Sequence, residues 1–178
     1  NYVHNYPFFC VSLAVEVKGQ VQIGAIYAPK IDELFTAKRG GGAYLNGDKI
    51  KISRESDLSQ SLICTGFPYE EGKVDKALRY FNGLVRKTRG IRRDGSAGLN
   101  LSYVAAGIFE GFWETGLSPW DVAAGKLFIE EAGGKVTNER GESLSLHNFD
   151  TIVATNGLIH EDLLKSLQRG LENETNKN

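Results

Sequence analysis

Apolar positions follow two rhythms along the chain. From Pro7 to Ser53 they come as short runs: Phe8 to Val17 stops at Lys18-Gly19-Gln20, and Val21 to Tyr27 stops at Ala28-Pro29-Lys30. Leu34 to Ala37, Ala43 to Leu45 and Ile50 to Ile52 follow at short spacing. Runs bounded by turn residues in this way read as strands, and Asn46-Gly47 carries the type I′ hairpin signal. The prediction is an antiparallel meander, closed by the polar stretch Ser53 to Ser61 as a domain boundary.

Beyond it strands alternate with helices. Ser61 to Gly66 reads as a strand, and Val74 to Arg86 as an amphipathic helix with Ala77, Leu78, Phe81, Leu84 and Val85 on one side. A strand over Gly90 to Gly95, a helix over Ser96 to Ala106 closed by Gly107, and a strand over Ile108 to Glu114 follow. A third helix spans Ser118 to Ala132 with Gly133-Gly134 as its stop, then strands at Lys135 to Thr137 and Ile152 to Thr155, and a helix at Leu158 to Arg169. Leu171 to Asn178 reads as a frayed polar tail. The fold class is α/β with a mixed, largely sandwiched sheet. Three segments are expected: residues 1–57 as part of an antiparallel-sheet domain, 58–170 as an α/β domain, and 171–178 as the tail.

Composition narrows the class. Of 178 residues 41% are hydrophobic and 24% charged, as in an ordinary globular protein. Lys and Arg number 21 against 22 Asp and Glu, a net charge of −1, which argues against a generalised nucleic-acid or acidic-membrane binder. No apolar run reaches the roughly 18 residues of a membrane span, so a soluble chain is expected. Methionine is absent, and the opening Asn1-Tyr2-Val3-His4 is neither a signal peptide nor a transit sequence. The expectation is that these residues are the later part of a longer polypeptide. Cys10 and Cys64 have no CxxC partner and read as two reduced, buried thiols of a cytosolic protein, with a disulfide as the alternative.

Four places carry possible chemistry. In Ser118-Pro119-Trp120-Asp121 the serine suits the N-cap, the proline N1 and the aspartate N3 of a helix. Asp121 then either only caps the helix or presents its oxygens to a hard divalent cation. Glu114 lies seven residues earlier at a strand end, so it is either a solvated carboxylate or aimed with Asp121 into a strand-to-helix crevice. Gly95-Ser96-Ala97-Gly98 leads into a helix, as a plain N-cap or as amides facing an anion or a polyol. Arg86, Lys87, Arg89, Arg92 and Arg93 form a basic cluster, either a solvated helix end or an anion or partner contact. Arg39-Gly40-Gly41-Gly42 lacks the Lys-Ser/Thr ending of a phosphate loop and reads as a hairpin segment. His4, His147 and His160 have no zinc spacing, and neither a Gly-x-Ser-x-Gly elbow nor a Cys–His pair suggests a nucleophile.

These residues resemble the inositol monophosphatase family. Its second signature matches Trp120-Asp121-Val122-Ala123-Ala124-Gly125 through Glu131-Ala132-Gly133-Gly134, and the latter half of its first signature matches Asn1-Tyr2-Val3-His4 and Pro7-Phe8-Phe9-Cys10-Val11-Ser12. The resemblance runs from Asn1 to about Gln168. It implies an α-β-α-β-α sandwich, here with incomplete N-terminal layers, and hydrolysis of inositol monophosphate or a similar polyol phosphate with two or three Mg²⁺ ions. Carboxylates hold such ions, which activate a water and neutralise the phosphoryl oxygens.

By motif position the resemblance makes Asp121 a metal ligand that also touches substrate, Glu114 the partner of a ring hydroxyl, and Gly95, Ser96 and Ala97 the turn facing the polyol. The family's other ligands, and the Glu and Thr that position water, have no counterpart here and are expected upstream of Asn1. The fragment alone is therefore expected to be inactive. Asp94 stands where many members have an apolar residue. A cytoplasmic homodimer without nucleic-acid or membrane partners is expected. The alternatives are a fructose-1,6-bisphosphatase, a 3′-phosphoadenosine 5′-phosphate phosphatase, or a noncatalytic interaction protein using Arg86 to Arg93.

Overall fold

The computed structural model describes residues 1–175. Strands β1 (Val11–Val17), β2 (Gln20–Ala28), β3 (Glu33–Lys38), β4 (Gly42–Leu45) and β5 (Asp48–Lys49) form one antiparallel sheet in chain order. The last hairpin turns on Asn46 (φ 50°) and Gly47 (φ 90°), both left-handed as a type I′ turn requires. That turn starts β5 at Asp48, so Ile50 to Ile52 is not the final strand. The ladder ends instead with the Ile50 amide donating to the Ala43 carbonyl at 3.0 Å.

The second sheet is built from β6 (Leu62–Thr65), β7 (Gly90–Arg92), β8 (Gly111–Thr115), β9 (Lys135–Asn138) and β10 (Thr151–Thr155), in the order β7-β6-β8-β10-β9. β6 runs parallel to β7 and β8, and β10 antiparallel to β8 and β9. Between them lie α1 (Glu71–Leu84), α2 (Ala97–Ala105) and α3 (Pro119–Ala132), followed by α4 (His160–Thr175).

α1 runs from Glu71 to Leu84 rather than Val74 to Arg86, β7 ends at Arg92 rather than Gly95, and two further boundaries differ from the periodicity for physical reasons. β8 starts at Gly111 because the Ile108 and Phe109 amides both turn back to the Tyr103 carbonyl at the end of α2. Leu171 to Thr175 is helical rather than frayed, because α4 crosses α1 at Gly83 and Gly170 and Leu171 packs on the core beneath. The rest of the predicted tail, residues 176–178, lies outside the described residues.

α2 and α3 lie between the two sheets. A helix that is apolar all round belongs in such a place. In α3, Val122 to Gly125 and Leu127 to Ile129 are all buried. The backbones come close there: a Cβ on Gly125 would lie 2.4 Å from Leu101 of α2, and one on Gly24 of β2 would lie 3.1 Å from the Ala124 α-carbon. The main core joins Ile26 and Phe35 of the first sheet with Phe112 and Ile152 of the second, so it is shared by both sheets. The amphipathic α1 and α4 cover the far side of the second sheet, over Ile63, Trp113 and Val153. There His160 is fully buried, its ring nitrogens 2.9 Å from Thr137 Oγ1 and 2.8 Å from Thr155 Oγ1.

The layers are thus sheet, helices, sheet, helices. Among the described residues no helix covers the outer face of the first sheet, which exposes Val11, Leu13, Val15, Ile23, Tyr27 and Leu34. The cross-strand pairs Val11–Tyr27 and Val15–Ile23 make that apolar surface continuous.

Candidate active site

The parallel strands β6, β7 and β8 point the same way, and their carboxyl ends open into one cleft of about 630 Å³. A crevice at such strand ends is the usual ligand position in α/β sheets. Each end delivers part of the wall: Gly66 to Tyr69 after β6, Arg93 and Gly95 to Ala97 after β7, and Glu114 to Ser118 around the end of β8. Gly95, Ser96, Ala97, Glu114 and Asp121 all line this cleft.

Glu114 is not a solvated strand-end group. It is 9% exposed on β8, and its carboxyl lies against the α-carbon of Gly66. Burial pushes its pKa up to about 7; the Arg93 guanidinium opposes the rise and the Asp121 carboxylate adds to it. Near neutral pH such a group can donate or accept a proton in a hydrogen bond.

Asp121 closes the capping box of α3, with Oδ2 accepting the Ser118 amide at 2.9 Å. Capping uses one oxygen, and the residue still lines the cleft. A hard divalent ion takes about six oxygen ligands. Among the described residues no three His, Cys, Asp or Glu side chains are placed to hold a metal. The donors among the described residues therefore do not make a two- or three-ion centre.

Ser96 takes the N-cap position of α2 after Gly95 (φ 84°), yet its hydroxyl does not cap the helix. It sits 3.6 Å from Cys10 Sγ. Cys10 is part of the cleft wall. Burial raises its pKa and, more strongly, that of Cys64, and both thiols are free. The Asn1 side-chain amide ties the turn in place, donating to the carbonyls of Phe8 (2.6 Å), Asp94 (2.9 Å) and Gly95 (3.2 Å).

The structure disperses the basic cluster. Arg93 lines the cleft, Arg89 and Arg92 border a groove beside Glu110, and Lys87 faces Ser166 of α4. Asp94 does not line the cleft; burial raises its carboxyl, and Arg92 opposes the rise. Sequence reasoning missed Gly66, Cys10 and the latching role of Asn1. Only Gly66-Phe67-Pro68 offered a signal, a turn directly after a strand.

The Arg39 to Gly42 loop joins β3 to β4 and holds an anion of its own. Gly40 and Gly42 donate their amides to the Glu131 carboxylate at 2.8 and 2.9 Å, and Arg39 pairs with Glu130 at 3.0 Å.

Comparison with known proteins shows the family and the fold. The inositol monophosphatase family model matches residues 1–172. The chain is 43% identical over 172 residues to an inositol-1-monophosphatase of Mesorhizobium japonicum, covering 96% of this chain and 64% of that one. It is also 43% identical over 171 residues to the Nus factor SuhB of Pseudomonas aeruginosa, covering 94% and 63%. An inositol monophosphatase structure from Anabaena superposes with a TM-score of 0.91 at 46% identity, covering 95% of this chain and 67% of that one. The chain spans a little under two thirds of the length of these curated relatives. With the family model matching residues 1–172 and relatives above 40% identity along nearly all of these residues, the chain belongs to the inositol monophosphatase family.

Proposed function

We propose that this chain forms the substrate-facing part of a Mg²⁺-dependent phosphate monoester hydrolase acting on inositol monophosphate or a similar polyol phosphate. One observation carries the reading: Glu114, Asp121 and the Gly95–Ala97 turn, distant in sequence, meet in one cleft where three parallel strands end. Glu114 binds a ring hydroxyl, the Gly95–Ala97 backbone faces the polyol, and Asp121 gives one carboxylate to the metal centre while touching substrate. When bound, the metal would supply an activated water and charge neutralisation at the phosphoryl group. The remaining ligands are proposed to lie in a longer parent protein of the relatives' length, and activity is proposed for that protein. A cytoplasmic homodimer with a small-molecule partner is part of the same proposal, as is a division near residue 57 between the two sheet-bearing segments. Fructose-1,6-bisphosphate and 3′-phosphoadenosine 5′-phosphate are the competing substrates. Phosphate release by the parent protein from these two and from inositol 1-phosphate is the test. Preference for a rival phosphate replaces the substrate, and no release from any of them removes the enzyme.

A second reading is favoured by the name of one relative, Nus factor SuhB: a noncatalytic role in which exposed Arg86, Arg89 and Arg92 contact a partner. Asp121→Asn in the parent protein separates the two, since it abolishes phosphate release under the first and leaves partner association intact under the second.

A further inference from the structure

Gly66 directly follows β6, and its backbone is not in the left-handed region that demands glycine. Its lack of a side chain therefore has to be explained by space. A Cβ there would lie 2.2 Å from Glu114 Oε1, 2.3 Å from Cδ and 2.3 Å from Oε2, closer than non-bonded atoms approach. The intruding group would meet the functional end of Glu114 rather than backbone. β6 and β8 are parallel neighbours with Thr65 beside Trp113, so Glu114 leans over the point where β6 has just ended. The other charged groups acting on this carboxyl are Arg93, from the turn after β7, and Asp121, at the start of α3.

We propose that Gly66 is a positioning residue: its bare α-carbon is the seat on which the Glu114 carboxyl rests, facing the cleft and shielded from water. Any side chain at position 66 displaces the carboxyl into the cleft. The proposal rests on Glu114 being a substrate contact only for its functional meaning; the seat itself is a matter of packing and is testable without substrate.

The test is a double-mutant cycle on the 178-residue chain, read by urea unfolding and by carbon-detected NMR titration of the residue-114 carboxyl. Overpacking costs about fivefold or more in the folding equilibrium constant. Gly66→Ala is therefore expected to lower that constant at least fivefold in the wild-type background. In Glu114→Ala, where the seat is empty, the same change is expected to cost less than twofold. If Gly66→Ala proves too unstable to titrate, Gly66→Ala/Glu114→Ala is expected to fold, which itself reports the clash. Where Gly66→Ala folds, the Glu114 midpoint is expected to drop by at least one pH unit as the carboxyl enters water. Equal losses in both backgrounds, or an unmoved midpoint, would overturn the proposal. Binding of inositol 1-phosphate by the parent protein is measured separately. Its failure with the cycle intact counts against the substrate reading and leaves the seat standing.

Discussion

The amide of Gly42 donates to Glu131 Oε2 at 2.9 Å across 89 residues of sequence, clamping the β3–β4 loop to the end of α3. The loop that resembles a phosphate cradle is thus already filled by a carboxylate of this chain. Glu131→Gln can satisfy only one of the two amides, and hydrogen bonds to a charged acceptor are worth about 1.5–3 kcal/mol each. The expected loss is about 1–3 kcal/mol in urea unfolding, with no phosphate binding at the loop in the unaltered chain.

Buried His160 and Glu114 give the chain opposing pH dependences. The folded pKa of His160 is pushed down to about 4 from 6.5, chiefly by burial. Below pH 6.5 the unfolded chain takes a proton that the folded one refuses, so stability falls as pH drops toward 4. Glu114 is raised from 4.5 to about 7, so the folded state keeps a proton that the unfolded state has lost, and stability falls as pH rises from 4.5 to 7. Each effect reaches at most about 3 kcal/mol. His160→Gln should flatten the acid side of the profile. Glu114→Gln should flatten the neutral side and stabilise the chain at pH 8. Urea midpoints at pH 4.5, 6 and 8 check both slopes.

Gly125 lets α3 approach Leu101 of α2 between the sheets. Gly125→Ala adds a methyl where no room exists, and overpacking of this kind costs about 1–3 kcal/mol despite alanine's better helix propensity. Thermal unfolding is expected to show a lower midpoint, and a midpoint at or above that of the unaltered chain would contradict the packing described.

Asp121 separates capping from chemistry. Asp121→Asn keeps an oxygen able to accept the Ser118 amide, so the folded chain should lose no more than about 1 kcal/mol. In the parent protein the same change should reduce Mg²⁺-dependent phosphate release by orders of magnitude. The 178-residue chain itself, with one carboxylate for the metal, should release no phosphate from inositol 1-phosphate.

The open outer face of the first sheet should reveal itself in solution. Val11, Leu13, Val15, Ile23 and Tyr27 lie side by side and exposed, a pattern associated with interaction or aggregation. The chain is expected to bind a hydrophobic dye and to self-associate at micromolar concentration, and Leu13→Lys should weaken both. Dye fluorescence and sedimentation measure the change.

Much of the fold was legible because local signals agreed with packing. Asn46-Gly47, Ser118-Pro119 and Gly133 each set a turn or a helix end by backbone chemistry alone, and all three stand where expected. Legibility failed where distant contacts decided. Nothing near Leu171 announces that α4 continues, since the continuation depends on α1 at Gly83. The Asp121 cap could be read from spacing, whereas the burial of Glu114 could not, because its wall comes from Gly66, 48 positions away. The contact of Cys10 with Ser96, 86 positions away, was hidden for the same reason.

Asp121 stands at the first turn of α3, the helix clasped by both sheets. A ligand gripping that turn binds the folded chain and not the unfolded one, so mass action adds its binding free energy to the stability of the shared core. Occupancy of the cleft should therefore move the melting of both sheets together, as one transition shifted upward rather than two drawn apart.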